Sequence, residues 1–194
     1  MLPRLAVFKT QFYLAGGTAL ALQIGHRTSV DFDFFTPQDF DTAQIYKILG
    51  ETLEEANLLR TQEERNTLSI ETSTGVKLSF LSYPYPLLDP LVSLEHIDLA
   101  ALTDIGCMKF AAILSRSQQK DYVDLYVILQ RVPLARFAEL LPRKFSNFNV
   151  NLAFKSLVYL KDIEQNEFEF RNSFSVTEQE MAVFFEQKVK QYYG

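Results

Sequence analysis

Apolar and polar positions along the chain switch repeatedly between two periods. Phe12 to Ala15 is a short apolar run of the kind that forms a buried strand. Thr18 to Ile24 then repeats apolar residues at helical spacing and closes at Gly25. From Val30 to Phe35 the period shortens to two, placing Asp31 and Asp33 on one side and Phe32 and Phe34 on the other. Thr36-Pro37 ends that strand, and Asp39 or Asp41 is placed to cap the next helix. Ile45, Ile48, Leu49, Leu53 and Ala56 form a single stripe on this helix, which is expected to run to about Asn57. Strands are predicted near 58–61, 67–72 and 76–83, with Thr74-Gly75 turning the chain between the last two. Tyr83-Pro84-Tyr85-Pro86 interrupts the sheet and marks an internal boundary. Beyond Leu99 the period is helical, with helices expected near 98–115, 119–130, 134–142, 150–163 and 177–192. Thr177 and Glu180 supply a capping box for the last of these. The first ten residues read as the tail of a helix. This order predicts an α+β fold, with a small mixed sheet and flanking helices in residues 1–95. A helical region, 96–194, is expected to pack on that core and complete its site.

Composition narrows the function classes. The 194 residues are 47% hydrophobic and 22% charged, the balance of an ordinary globular protein. Seventeen Phe, nine Tyr and no Trp predict a bulky aromatic core. One cysteine, Cys107, cannot form an internal disulfide. No signal pattern or spanning apolar run is visible, so a reducing cytoplasm is the expected compartment. Two His and one Cys leave little room for His/Cys metal clusters or Cys–His nucleophile pairs. The net charge of −5 is unevenly spread: residues 29–105 hold fourteen acidic and four basic side chains, and 106–161 hold nine basic and three acidic. The basic half suits phosphate, while the acidic whole argues against tight non-specific nucleic-acid binding.

The candidate chemistry begins at Gly16-Gly17-Thr18. Two residues without Cβ at a strand-to-helix turn let backbone approach a ligand and expose N–H groups at the positive end of a helix dipole. The Thr18 hydroxyl and the Arg27 guanidinium are further donors for phosphate. Asp31 and Asp33, with Cα atoms roughly 6.5–7 Å apart by strand rise, can converge on hard divalent cations. Without a cation, two such carboxylates repel. Each piece is common by itself; the succession of strand, Gly-Gly-Thr, short helix and Asp-x-Asp strand is not.

That succession resembles the polymerase-beta-like nucleotidyltransferase superfamily. More narrowly, Leu14-Ala15-Gly16-Gly17-Thr18-Ala19-Leu20 with Gly25-His26-Arg27-Thr28-Ser29-Val30-Asp31-Phe32-Asp33-Phe34-Phe35 is similar to the N-terminal signature of AbiEii/AbiGii-type toxin nucleotidyltransferases. The resemblance implies Mg²⁺-dependent transfer from a nucleoside triphosphate, and a toxin–antitoxin or phage-defence role with a cognate antitoxin.

A second cluster lies further along. Lys109 and Arg116 are seven residues apart and share a helix face, and Lys120, Asp121 and Asp124 open the following helix. That helix is apolar nearly all round, so its charges must be paired or face a polar site. Two readings stand open. In one, Lys120 pairs with Asp124 and Asp121 serves as a helix N-terminal acid. In the other, Lys109 neutralises phosphate, Asp121 is its polar partner in catalysis, and Lys120 and Asp124 join the nucleotide-binding set. A Lys helix followed by a Lys-Asp-x-x-Asp-Leu helix also matches the toxin family's later motifs, so the resemblance spans about residues 12–130.

One departure qualifies this picture. Polymerase-beta-like enzymes commonly carry a third carboxylate on a later central strand. Here that strand reads Val76-Lys77-Leu78-Ser79-Phe80-Leu81, and alternation puts Ser79 at the inward polar position with Lys77 on the same side. A hydroxyl is a weaker metal ligand and no full-strength base. Glu71, one strand earlier, is an alternative donor. The expected mechanism is in-line transfer: Asp31 and Asp33 hold Mg²⁺, while Gly16-Gly17-Thr18, Arg27 and Lys109 offset charge on pyrophosphate. The acceptor is expected to be an RNA 3′ end. Two rival readings are a small-molecule nucleotidyltransferase and a nucleotide-binding protein without turnover.

Overall fold

The computed structural model describes residues 1–53, 58–161 and 163–194. The chain divides into two compact units. One comprises residues 1–19, 30–86 and 90–100, and the other comprises 20–29, 87–89 and 101–194.

The first unit contains a seven-stranded mixed sheet. A 3₁₀ helix, Leu2–Phe8, leads into β1 (Tyr13–Ala15). Then come α1 (Gly16–Ile24, whose second half lies in the other unit), β2 (Phe32–Thr36), α2 (Thr42–Leu53), β3 (Leu59–Glu64), β4 (Thr67–Glu71) and β5 (Lys77–Ser82). Two short strands, β6 (Val92–Ser93) and β7 (Asp98–Leu99), complete it. The strand order is β3-β4-β5-β2-β1-β7-β6. β2 runs antiparallel to β1 and parallel to β5, and β7 lies parallel to β1.

Register explains the two sides of this sheet. Leu14, Phe34, Phe80 and Leu68 are successive cross-strand partners and all are buried. The Phe34 and Phe80 rings stack 4.7 Å apart, with Phe8 of the 3₁₀ helix 4.8 Å from Phe80 and Phe12 5.2 Å from it. This is the expected aromatic core, and it fixes β2 in one register, because a one-residue slip would turn Phe34 outward. The same alternation puts Ala15, Asp33, Ser79 and Ser69 in a row on the opposite side. α2 covers the apolar side with Ile45, Leu49 and Leu53. The end of the helix expected to reach Asn57 lies outside the described residues.

The second unit is helical: α3 (Leu102–Ser115), α4 (Gln119–Leu129), α5 (Leu134–Lys144), α6 (Val150–Val158) and α7 (Glu178–Tyr193). Phe110 of α3 meets Phe137 of α5 at 5.1 Å and Phe154 of α6 at 5.7 Å. Gly106 makes room for this, since a Cβ there would lie 2.4 Å from the Phe137 ring. Tyr126 of α4 packs 4.6 Å from Phe184 of α7. The Thr177–Glu180 capping box forms as read.

Three expectations are corrected. The N-terminal segment is a 3₁₀ helix. Residues 98–99 are strand, so α3 starts at Leu102. Nothing in the pattern indicated β6 or β7, because two-residue strands show no alternation. Among the described residues, no helix is long and apolar enough to cross a membrane.

Candidate active site

The first unit gathers the Gly-Gly-Thr turn and the two aspartates at one point. β1 ends at Ala15 and the chain enters α1 directly, two residues earlier than the periodicity predicted. Gly16 takes φ +71, a conformation only glycine adopts without strain. A Cβ at Gly16 would lie 3.0 Å from Asp33 Oδ2, so the Asp33 carboxylate is seated against the entrance of the helix. Thr18 is buried, and its hydroxyl donates to the Asp31 carbonyl oxygen. That hydrogen bond ties the approach to β2 onto the first turn of α1. The donor expected to face phosphate is therefore spent on positioning, leaving backbone N–H groups as the donors of this turn. Asp31 itself is exposed and lies one residue ahead of the strand.

The neighbouring position on β5 is Ser79, the register partner of Asp33, with Ser69 beyond it on β4. Glu71 pairs with Lys77 and sits on β4, two strands from β2. At about 4.8 Å per strand it is about 10 Å from that strand and is no substitute for a ligand beside Asp33. Among the described residues, no group of three or more His, Cys, Asp or Glu is arranged to hold a metal. Two hard carboxylates with a hydroxyl between strands fit Mg²⁺, which keeps several waters and takes one or two carboxylates together with substrate phosphates.

The second unit holds a buried ionic network. Asp124 is 0% exposed. Its Oδ1 lies 2.8 Å from His26 Nε2 and accepts from Arg27 Nε at 2.7 Å. Its Oδ2 accepts from Arg27 Nη2 at 2.8 Å and pairs with Lys109 Nζ at 2.6 Å. Lys109 also donates to Asp121 Oδ1 at 2.6 Å, and Arg116 Nε donates to Asp121 Oδ2 at 3.0 Å. Burial alone would raise the Asp124 carboxyl, but the Lys109 charge and the hydrogen bonds from His26 and Arg27 hold it well below the usual carboxylate range. Burial would likewise lower Lys109, yet Asp124 and Asp121 raise it above its ordinary value.

Neither earlier reading of this cluster describes it fully. The Lys120–Asp124 pair is not formed: Asp124 turns inward to residues 15 and about 97 positions away, and Lys120 is half-buried. Arg27 and Lys109 are 5% and 6% exposed and engaged with carboxylates, so neither stands open to solvent as a phosphate-binding cation. With His26 neutral, the network of Arg27, Lys109, Arg116, Asp121 and Asp124 keeps one net positive charge.

Residues 168–172, given no role from sequence, hold the loop that carries His26 and Arg27. Thr28 N donates to Glu169 O at 2.8 Å and Arg171 N to His26 O at 3.0 Å. Asn172 Nδ2 donates to Gly25 O at 2.9 Å. The Phe168 ring lies 5.7 Å from the Arg27 guanidinium. No local period could have revealed these contacts, which span more than 140 residues. Lys144 is fully buried on Asp104 at 2.6 Å, so the basic character of 106–161 is partly internal. Cys107 is also buried, and burial pushes its thiol up to about 12, which removes it as a nucleophile.

A model of the family described as nucleotidyl transferase AbiEii toxin, type IV toxin–antitoxin system, matches residues 2–190. The chain belongs to this AbiEii family. A related protein, aq_aa25 of Aquifex aeolicus (strain VF5), is 34% identical over 187 residues, covering 93% of this chain and 87% of that one. Two solved structures share the fold. MenT4, the nucleotidyltransferase toxin Rv2826c from Mycobacterium tuberculosis H37Rv, has a TM-score of 0.60 at 16% identity, covering 100% of this chain and 79% of its own. JHP933 from Helicobacter pylori has a TM-score of 0.56 at 14% identity, covering 99% and 89%. The AbiEii chain is thus a nucleotidyltransferase with the α+β fold of nucleotidyltransferase toxins. Membership also fits the family's general use of a nucleoside triphosphate, a divalent metal and an antitoxin.

Proposed function

We propose that this AbiEii protein transfers a nucleotide from a nucleoside triphosphate to an RNA 3′ hydroxyl in a Mg²⁺-dependent reaction, as the toxin of a toxin–antitoxin pair. The observation that carries the reading is the Asp33 carboxylate seated against Gly16 at the start of α1, with Asp31 two residues before it. Asp31 and Asp33 would hold the metal, which when bound would supply positive charge to offset that of the phosphates. Backbone N–H groups of Gly16 and Gly17 would face phosphate oxygens at the positive end of the helix. Thr18 acts as a positioning residue, because its hydrogen bond fixes the Asp31 backbone.

In the second unit, Arg27, Lys109, Asp121 and Asp124 are buried and sum to no net charge, so the one net positive charge of the network is that of Arg116, which with Lys120 is the more accessible cation a polyanionic substrate would meet. Ser79 beside Asp33 favours slow turnover, since a hydroxyl neither ligates Mg²⁺ as strongly as a carboxylate nor takes a proton as readily. The test is incubation with each α-labelled triphosphate, Mg²⁺ and total RNA. Label on RNA that is lost with Asp31→Asn supports the reading. Label only on small molecules would assign a different acceptor, and label retained by Asp31→Asn would overturn the metal assignment.

A further inference from the structure

The start of α4 lacks a cap of its own. Gln118 precedes it in extended conformation (φ −93, ψ 130) and makes no side-chain hydrogen bond into the first turn. The N–H groups of Gln119, Lys120 and Asp121 have no acceptor one turn earlier in the helix, and left bare they would weaken that turn. Asp121 N closes back on Gln118 O at 3.0 Å. The other two are satisfied by the segment that follows α6. Gln119 N donates to Glu164 O at 2.9 Å, and Lys120 N donates to Asn166 Oδ1 at 3.2 Å. The Asn166 side chain thus does for α4 what a Ser or Asp at the N-cap does within other helices. Its segment is fixed on both sides. Before it, Glu164 N donates to Ser117 O at 2.6 Å. After it, Glu169 O accepts from Thr28 N at 2.8 Å and Glu169 N donates to Thr28 Oγ1 at 2.9 Å. An acceptor held in this way is already in place, so little conformational entropy opposes the cap.

The capped turn carries charge. Lys120, whose N–H is held, is half-buried, and Asp121 beside it receives Lys109 and Arg116. Both side chains take their direction from the backbone of this turn. We propose that Asn166 is a positioning residue for nucleotidyl transfer: by capping α4 from a distant part of the chain, it orients Lys120 toward the polyphosphate of the substrate. This role rests on Lys120 as a cation that the substrate meets.

The full chain and its variants would be compared by amide hydrogen exchange at Lys120 and by the Kd for Mg²⁺–tripolyphosphate, the part common to all nucleoside triphosphates. Circular dichroism confirms the fold; Asn166 is half-buried, and losing one cap leaves most of a domain's stability in place. The loss of a cap corresponds to about a 2- to 30-fold change in a local equilibrium. Asn166→Ala should speed Lys120 exchange and weaken tripolyphosphate binding, each within that range. Asn166→Asp keeps the acceptor and should keep the parent's exchange. Lys120→Gln should also weaken binding, and adding Asn166→Ala to it should weaken binding no further. A general loss of stability would not produce that coupling. Unchanged exchange or unchanged affinity in Asn166→Ala, faster exchange in Asn166→Asp, or additive losses in the double variant would overturn the proposal. If Lys120→Gln still weakens binding in that case, the positioning role alone fails. If Lys120→Gln binds tripolyphosphate like the parent, Lys120 does not meet the substrate and the positioning role falls with it.

Discussion

Replacing Asp124 by Asn removes a negative charge from a point where four nitrogen–oxygen contacts of 2.6–2.8 Å converge. The amide keeps the shape of the side chain but can accept at one oxygen only, so its NH₂ group would confront Arg27 or Lys109. Both cations are almost fully buried, and the network would pass from one net positive charge to two. Breaking a buried pair in this way costs about 3–5 kcal/mol, a large part of the roughly 5–15 kcal/mol that holds a domain folded. For a chain of this size, about 1 kcal/mol moves the melting temperature by about 2–4 °C, which gives an expected drop of about 6–20 °C. The assay is thermal unfolding followed by circular dichroism, with nucleotidyl transfer measured well below the variant's melting point. A double-mutant cycle with Lys109→Met isolates the shared term, expected at about 0.5–3 kcal/mol. If Asp124→Asn melts within about 2 °C of the parent while losing all transfer, Asp124 acts on substrate and the positioning argument fails.

Gly16→Ala should lower stability by about 1 kcal/mol or more and reduce transfer. The new methyl group is strained at φ +71 and meets Asp33 Oδ2 at 3.0 Å; unchanged kinetics would show that Asp33 is free to move. Lys144→Glu should destabilise by about 3–5 kcal/mol, seen as a lower urea midpoint, because it puts a carboxylate beside buried Asp104; a stable variant with weakened RNA binding would return Lys144 to the surface. Stability should also depend on pH at both ends. The folded pKa of Asp124 is depressed, so its contribution is complete above the unfolded value near 4 and is lost as pH falls below it. That of Lys109 is raised, so its contribution is complete below about 10.4 and is lost as pH rises through the higher folded value. Melting temperatures across pH 2–12 should show both limbs, with the acid limb flattened in Asp124→Asn.

Legibility in the sequence tracked the range of the forces involved. β1, β2, the β4–β5 hairpin, α3, α4 and α7 are set by local periods and caps, and the residues show them. Ser79 could be placed on the inward face by counting, and its register partner is Asp33. The β7 strand could not be read, because Leu99 is strand through its pairings with Leu14, 85 positions earlier, and with Val92 of the equally short β6. The ionic network was half legible. Spacing put Lys109 and Arg116 on one face, and both reach Asp121. Local spacing also suggested Lys120 for Asp124, whereas the buried side chain takes His26 and Arg27, about 97 residues away, as partners. Desolvation decides this choice, since a fully buried carboxylate needs several close donors and a half-buried lysine one turn away supplies at most one.

Asp33 at the entrance of α1 is the proposed metal-holding carboxylate on which transfer depends. The most direct measurement compares Mg²⁺-dependent transfer from an α-labelled nucleoside triphosphate by the parent and by Asp33→Asn, with circular dichroism confirming that both are folded. A metal ion contributes several kcal/mol to such a reaction, so the folded variant should lose at least about a thousandfold in rate and require more Mg²⁺ to saturate. A folded Asp33→Asn protein with the parent's rate and the parent's Mg²⁺ dependence would contradict that role.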